Sequence, residues 1–208
     1  TPLSALMMYQ EIIENEPENS ETVKEFSLKI GTAIKRMEQL IQSMLKITRI
    51  DAGSISFEKS NYSISNIINH AISELTTRAD NEKKEIVIDG DLEQMLYCDI
   101  EWTGEAIGNI IKNALDHTDA GGKITISWEP TPAMIRIFIT DNGHGISQED
   151  IHHIFKRFYR SKNTSENQGI GLGLPLAKAI VEGQGGILSV QSERLQGTTF
   201  TLSFLTES

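Results

Sequence analysis

With 208 residues, 38% of them hydrophobic and another 16 glycine, the chain has the apolar content of a globular protein and the length of one or two domains. Its formal charge of −10 argues against binding nucleic acid through phosphates, and no stretch reaches the ~18–20 apolar residues of a membrane span. A single cysteine, Cys98, excludes an internal disulfide framework and a Cys-based zinc site, which fits a reducing cytosol. There is no secretory leader, and the opening Thr1-Pro2-Leu3 falls in mid-pattern without a Met, as expected of a piece of a longer protein.

Residues 2 to about 15 carry Leu3, Leu6, Ile12 and Ile13 behind a proline at a helix-start position, which predicts a helix. Glu16-Pro17-Glu18-Asn19-Ser20 breaks it, and Asn19 or Ser20 can cap the next helix. From there Val23, Phe26, Ile30, Ala33, Met37, Leu40, Met44 and Ile47 recur in alternating steps of three and four, a heptad seam. Ile34 and Ile41 widen the stripe beyond what a two-stranded coil buries, which points to a four-helix bundle. One hairpin supplies two helices, so a homodimer through residues 1–53 is expected. The alternative is that the hairpin packs on the rest of its own chain.

After Asp51-Ala52-Gly53 the period changes. Ile55 and Phe57 alternate as in a short strand, and a helix follows with Ile67, Ile68, Ala71, Ile72 and Leu75 on one face, running to about Lys84. Strands are predicted at 86–88, 124–128, 134–139, 187–190 and 200–204, with helices from Asp99 to about His117 and from Leu172 to about Gln184. This mixture predicts an α+β sandwich, one sheet with helices on one face, over residues 54–208. The long polar stretch 142–171, with one short helical segment, reads as a lid.

Four motifs point to a nucleotide. Glu105, Asn109, Asn113 and His117 stand at i, i+4 intervals on one helix face, and a carboxamide oxygen is a hard ligand suited to Mg²⁺ that shares phosphate oxygens. A solvated polar face is the plain alternative. Asp141-Asn142-Gly143-His144-Gly145 ends a buried strand, where a carboxylate can accept from the exocyclic amine of adenine and glycines let the base approach; a tight Asn-Gly turn is the plain alternative. Gly169-Ile170-Gly171-Leu172-Gly173-Leu174 opens a helix, with backbone N–H groups available to phosphates, unless it is only a hinge. It lacks the spacing of the dinucleotide fingerprint, and no P-loop is present. Phe155-Lys156-Arg157-Phe158-Tyr159-Arg160, with Lys162 nearby, can pin a lid by its aromatics while a guanidinium reaches the terminal phosphate. Alone it would read as an amphipathic surface segment.

In this order the motifs resemble those of sensor histidine kinases of two-component systems. Asn109-Ile-Ile-Lys-Asn113-Ala is similar to their N box, Asp141-x-Gly143-x-Gly145 and Gly169-x-Gly171-x-Gly173 to their glycine boxes, 155–160 to their F box, and Gly197-Thr198-Thr199-Phe200 to their closing Gly-Thr segment. The resemblance covers the whole chain and implies a dimerisation and phosphotransfer hairpin (1–53) followed by an ATP-binding α/β sandwich of the gyrase and chaperone type (54–208). It implies ATP and Mg²⁺ as cofactors, with Asn113 on the metal, Asn109 on phosphate or beside the metal, and His117 near the ribose. Asp141 would read adenine with Thr198 behind it through water; Gly143 and Gly145 would shape that turn. Gly169, Gly171, Gly173 and Leu174 would surround the phosphates, and Arg160, with Arg157 and Lys162 as weaker candidates, would neutralise the γ-phosphoryl group. The family often has Lys and Tyr where this chain has Asp116 and His117.

Thr1-Pro2-Leu3 resembles the tail of the family's His-Glu-x-x-Thr-Pro box, so the acceptor histidine would lie four residues before Thr1. Thr1 matches the position that helps orient water for dephosphorylating the partner regulator. The reading is the cytoplasmic catalytic core of a sensor histidine kinase: with Mg-ATP the intact protein phosphorylates its own histidine, then passes the group to an aspartate of a response regulator. The piece itself is expected to bind ATP and dimerise without autophosphorylating, touching neither nucleic acid nor membrane, while its parent is membrane-anchored. Two other readings are a gyrase- or chaperone-type ATPase and a degenerate kinase serving as a dimeric scaffold. The ATPase would want a Glu base where this chain has Asn109, with Glu105 a turn further off.

Overall fold

The computed structural model describes residues 2–161 and 170–206 and divides into two compact units, Thr1–Lys46 and Ile47–Ser208. In the first, α1 (Pro2–Asn15) and most of α2 (Ser20–Asp51) form the expected hairpin. Asn19 caps α2, its side chain accepting from the Thr22 N–H at 3.3 Å, and Glu16 accepts from both Asn19 and Thr22. Tyr9 of α1 meets Phe26 of α2 with ring centroids 5.6 Å apart. Met7, Leu28, Ile34, Ile41 and Leu45 are exposed, so these two helices leave a broad apolar stripe uncovered.

The second unit begins with the last turn of α2, where Ile47 is fully buried. There follow β1 (Ser60–Ser63), α3 (Ile64–Ile72), α4 (Leu75–Asn81), β2 (Glu85–Asp89), β3 (Met95–Cys98) and α5 (Ile100–His117). The chain continues through β4 (Lys123–Pro130), β5 (Met134–Asp141), α6 (Gln148–Ile151), α7 (Gly173–Gly183), β6 (Ile187–Glu193) and β7 (Gly197–Leu205). Five strands form one sheet in the order β2-β4-β5-β7-β6, with β2 parallel to β4 and the other pairs antiparallel.

Strand alternation puts Ile124, Ile126, Ile135, Ile137, Ile139, Phe200 and Leu202 on one buried face. Register sets Ile139 between Ile126 and Phe200, so the apolar side chains stand in rows. Onto that layer α5 turns Ile107, Ile110, Ile111, Ala114 and Leu115, and α7 turns Leu176, Ala177, Ile180 and Val181. The two helices pack against each other, and α3 adds Ile64, Ile67 and Ile68 beside α5.

Three local expectations are corrected. Residues 54–59 are not a strand although Ile55 and Phe57 alternate; the Glu58 N–H goes to the Asp99 carboxylate at 2.9 Å instead of a ladder, and pairing starts at β1 with β3. The helix expected to reach Lys84 is two, α3 and α4, interrupted where the Ser73 hydroxyl donates to His70 O at 3.0 Å. It ends where Lys83 takes a positive φ of 55°. The strand β3, short and half exposed, had no expected counterpart. The Asp99 cap of α5 is as expected: its Oδ1 accepts from the Trp102 N–H at 3.1 Å.

Ile110 is fully buried at the α5–sheet contact. Ile110→Ala is expected to cost roughly 2–5 kcal/mol in urea unfolding, from lost transfer energy plus the cavity left in a packed layer.

Candidate functional site

Burial of one α5 face leaves Asn109, Asn113 and His117 half-buried along the next. The Asn109 amide donates to Glu105 O at 2.9 Å, which turns its oxygen toward the start of α7. A Cβ on Gly173 would lie 3.1 Å from that oxygen, tighter than most side-chain contacts, so a substitution there would have to push the Asn109 carboxamide aside. Burial lowers the His117 pKa from its ordinary value, against the pull of Asp116 and helped by nearby His144, and keeps the ring neutral at neutral pH. Asp116 is drawn aside: its carboxylate takes the Arg78 guanidinium at 2.6 Å, and Arg78 also holds Glu82 at 2.6 Å.

At the end of β5, Asp141 is 4% exposed. Its carboxylate accepts from the Gly143 N–H at 2.9 Å and from the Thr198 N–H, yet burial outweighs both and raises its pKa above the usual carboxylate range. Gly143 lies directly on α5, where a Cβ would come 2.2 Å from His117 O. The His144 N–H donates to the same carbonyl at 3.0 Å. Gly145, at φ +65°, has Glu193 O where a Cβ would sit, 2.1 Å away, so the turn is pressed between α5 and the end of β6. Thr198 pairs with Asp141 across the ladder. Behind it Ser192, which no local signal in the sequence marks, joins the Ile146 N–H at 2.8 Å, Gly197 O at 2.9 Å and the Thr198 hydroxyl at 2.9 Å. A cavity of about 330 Å³ opens beside Asp141, Ser192, Gly197 and Thr198, and none of its lining residues belongs to α5.

The segment after α6 is tied down by Asp150, which accepts from the hydroxyls of Tyr159, Ser147 and Ser161. These hydrogen bonds, Tyr159 first, hold its carboxyl below the usual range. Phe155 sits edge-on to Phe200 at 6.4 Å with the Lys178 ammonium 5.0 Å over its ring. The Phe158 N–H donates to Gly171 O at 2.9 Å, with Gly171 at φ +76° and Phe158 itself at φ +63°. The Arg157 guanidinium is held by Asp51, at the end of α2, while Arg160 is exposed. Leu174 is half-buried in the first turn of α7. Thr1, Lys162 and Gly169 lie outside the described residues.

Three sequence-predicted groups thus come together: the α5 face, the Asp141 turn with Thr198, and the start of α7. Arg157 is not brought to them. Among the described residues no cluster of three or more His, Cys, Asp or Glu could cage a metal ion. The donors on the α5 face are carboxamides, which suit a hard cation that takes its other oxygens from phosphate and water.

Residues 98–208 match the family model described as histidine kinase-, DNA gyrase B-, and HSP90-like ATPase, and residues 1–53 match that of the His Kinase A (phospho-acceptor) domain. The sensor-like histidine kinase SenX3 of Mycobacterium tuberculosis is 28% identical over 205 residues, 98% of this chain and 50% of SenX3. The chain therefore spans about half the length of that curated relative. Among solved structures, the histidine kinase AdeS of Acinetobacter baumannii shares the fold with a TM-score of 0.82 at 20% identity, covering 100% of this chain and 96% of that one. The histidine kinase ThkA, solved in complex with the response regulator protein TrrA, gives a TM-score of 0.79 at 19% identity over 100% of this chain and 58% of that one. The chain belongs to the histidine kinase-, DNA gyrase B-, and HSP90-like ATPase family.

The raised Asp141 pKa means that the folded state binds this proton more tightly than the unfolded chain. Its contribution to stability is complete below the ordinary aspartate pKa and is lost as pH rises through the folded value. Asp141→Asn is therefore expected to flatten that part of the stability–pH curve and to leave the protein at least as stable at neutral pH, measured by urea unfolding between about pH 4 and 8. A large loss at neutral pH would overturn this account of the carboxylate.

Proposed function

We propose that the larger unit binds Mg-ATP and that the whole protein uses it to phosphorylate a histidine of its own hairpin, then an aspartate on a response regulator. The observation that carries this reading is Asp141, a carboxylate buried at a strand end beside a turn whose Gly143 is pressed against α5 and whose Gly145 is pressed against the end of β6. Such a group accepts from an exocyclic amine, and its burial makes an unmet amine costly, so it selects adenine over a base that presents a carbonyl there.

In this reading Thr198, held by Ser192, supports Asp141 through water, and neutral His117 faces the ribose. Asn113 supplies the one protein oxygen to Mg²⁺, Asn109 stands by the phosphates, and the backbone from Gly169 to Leu174 surrounds them. Arg160, with Lys162, meets the γ-phosphoryl charge. Arg157 joins them only after releasing Asp51. Phosphoryl transfer demands positioning and charge stabilisation more than covalent help, and these groups supply both. The metal, when bound, neutralises charge on the transferring group.

The functional division is residues 1–53 for dimerisation and phosphotransfer and 54–208 for nucleotide binding, with a lid about 142–171. The exposed Ile34, Ile41 and Leu45 stripe supports a homodimer, since an apolar helix face of this length seeks a second copy. None of the five histidines lies on α1 or α2, so the chain as given is not itself an acceptor. Thr1 is assigned to the dephosphorylation of the regulator. No helix among the described residues is long and apolar enough to cross a membrane, and the site is assigned to the cytoplasmic side, where ATP is available.

Calorimetric titration tests the site. Mg-ADP and Mg-ATP are expected to bind the unmutated chain, Asp141→Asn to abolish binding, and Asn113→Ala to weaken it by about tenfold or more while removing its dependence on Mg²⁺. No binding by the unmutated chain would overturn the reading. For the dimer, Ile34→Glu with Ile41→Glu is expected to convert a dimer to monomer in sedimentation equilibrium without loss of nucleotide binding. An unmutated chain that sediments as a monomer would rule it out.

A further inference from the structure

At the end of the α5–α7 pair remote from the Asn109–Gly173 contact lies a second polar cluster, and it is buried. Gln184, just past α7, is 5% exposed, Asp99 7% and Thr103 fully buried. The Gln184 side-chain oxygen accepts from the Asp99 N–H at 2.8 Å, and its amide nitrogen donates to the Thr103 hydroxyl at 3.0 Å. Its backbone carbonyl takes the Lys59 ammonium. The Asp99 carboxylate caps α5 with one oxygen and accepts from the Glu58 N–H with the other. Phe57 closes the cluster, edge-on to Trp102 at 5.9 Å and so close to Gly183 that a Cβ there would lie 3.0 Å from its ring. Residues 57–59, the first turn of α5 and the residue that caps the end of α7 thus share one network.

We propose that Gln184 and Lys59 are positioning residues of the nucleotide site: they fix how α7 is set against α5, and they tie that setting to the segment 54–59. This rests on the reading of Asn109, Asn113 and the α7 start as the nucleotide site. The geometry is that of a rigid pair clamped at one end. From Asp99 to Asn109 along α5, and from Gln184 back to Gly173 along α7, the distance is about 15 Å in each helix.

Between clamp and site the buried side chains of the two helices are apolar (Ala106, Ile107, Leu176, Ala177, Ile180 and Val181), and none is a polar group that would fix their setting as the clamp does. A fully satisfied buried network admits one arrangement, because any other leaves a polar group unmet. A shift of α7 at the clamp is carried to Gly173 and alters its approach to Asn109. By reciprocity, nucleotide that fixes Gly173 against Asn109 must steady the clamp and the 54–59 segment.

The test uses the whole chain and Mg-ADP as the probe. Amide exchange of Glu58 and Asp99 is expected to slow by about fivefold or more when Mg-ADP saturates the unmutated chain. Lys59→Met is expected to bind Mg-ADP about three- to tenfold more weakly and to lose that nucleotide-linked protection, with Lys59→Arg restoring both. Gln184→Leu is expected to act more strongly in the same direction, and Lys59→Met keeps the test open if Gln184→Leu does not fold. Variants that lose stability but keep the affinity and the linked protection would make these residues structural only, and would overturn the inference while leaving the nucleotide reading intact. Failure of the unmutated chain to bind Mg-ADP would overturn both.

Discussion

The constraint on which the larger unit depends is that α5 must bury one face completely while keeping the adjoining face polar. Ile107, Ile110, Ile111, Ala114 and Leu115 are removed from water against the sheet, α3 and α7, and this burial holds the helix in place. Asn109 and Asn113 are poor helix formers and gain nothing from the core; they are carried in position by neighbours three and four residues away. The sheet is equally one-sided, and Asp141 occupies the last place in its buried row, where another isoleucine would pack better. The polar face of α5 and the one carboxylate in the buried row of β5 converge on one region, and that convergence marks it as the candidate site.

Three carboxylates of this region show how surroundings separate roles. Asp141 is kept from water, and burial raises its pKa despite its two backbone donors. Asp150 stands near the surface with three hydroxyls on it and its pKa lowered, so it stays charged and serves as a fastening for Ser147, Tyr159 and Ser161. Asp116 is neither. Its pairing with Arg78, which Glu82 and Lys84 extend into a chain of charges, gives it a structural partner on α4.

Much of this was legible in the sequence because it is local. The Asp99 cap, the heptad seam of α2, the alternation of β4, β5 and β7 and the glycine-flanked Asp141 are all written within a few residues of where they act. What was not legible depends on partners far along the chain. Residues 54–59 have the pattern of a strand but no strand beside them, because their backbone is claimed by Asp99, 41 residues from Glu58. Arg157 reads as a phosphate ligand until Asp51, 106 residues away, is found on it. Gln184 carries no motif and acquires its part only when Thr103 and Asp99, 81 and 85 residues distant, are folded against it.

These distant contacts share a direction. Asp51 ends α2, and Phe57, Glu58 and Lys59 come from the stretch that follows it; together they engage the turn after α6, α7 and α5. The stretch lacks regular structure, so its own backbone bonds contribute little to holding it, and its course is set by the side chains and helix ends it meets. A segment held in this way follows its partners and its partners follow it, unlike a strand locked into a ladder. Two of those partners, α5 and α7, carry the asparagines and the glycines of the site at their other ends. The same irregularity that hides the segment from pattern reading is therefore what lets α5 and α7 set its course.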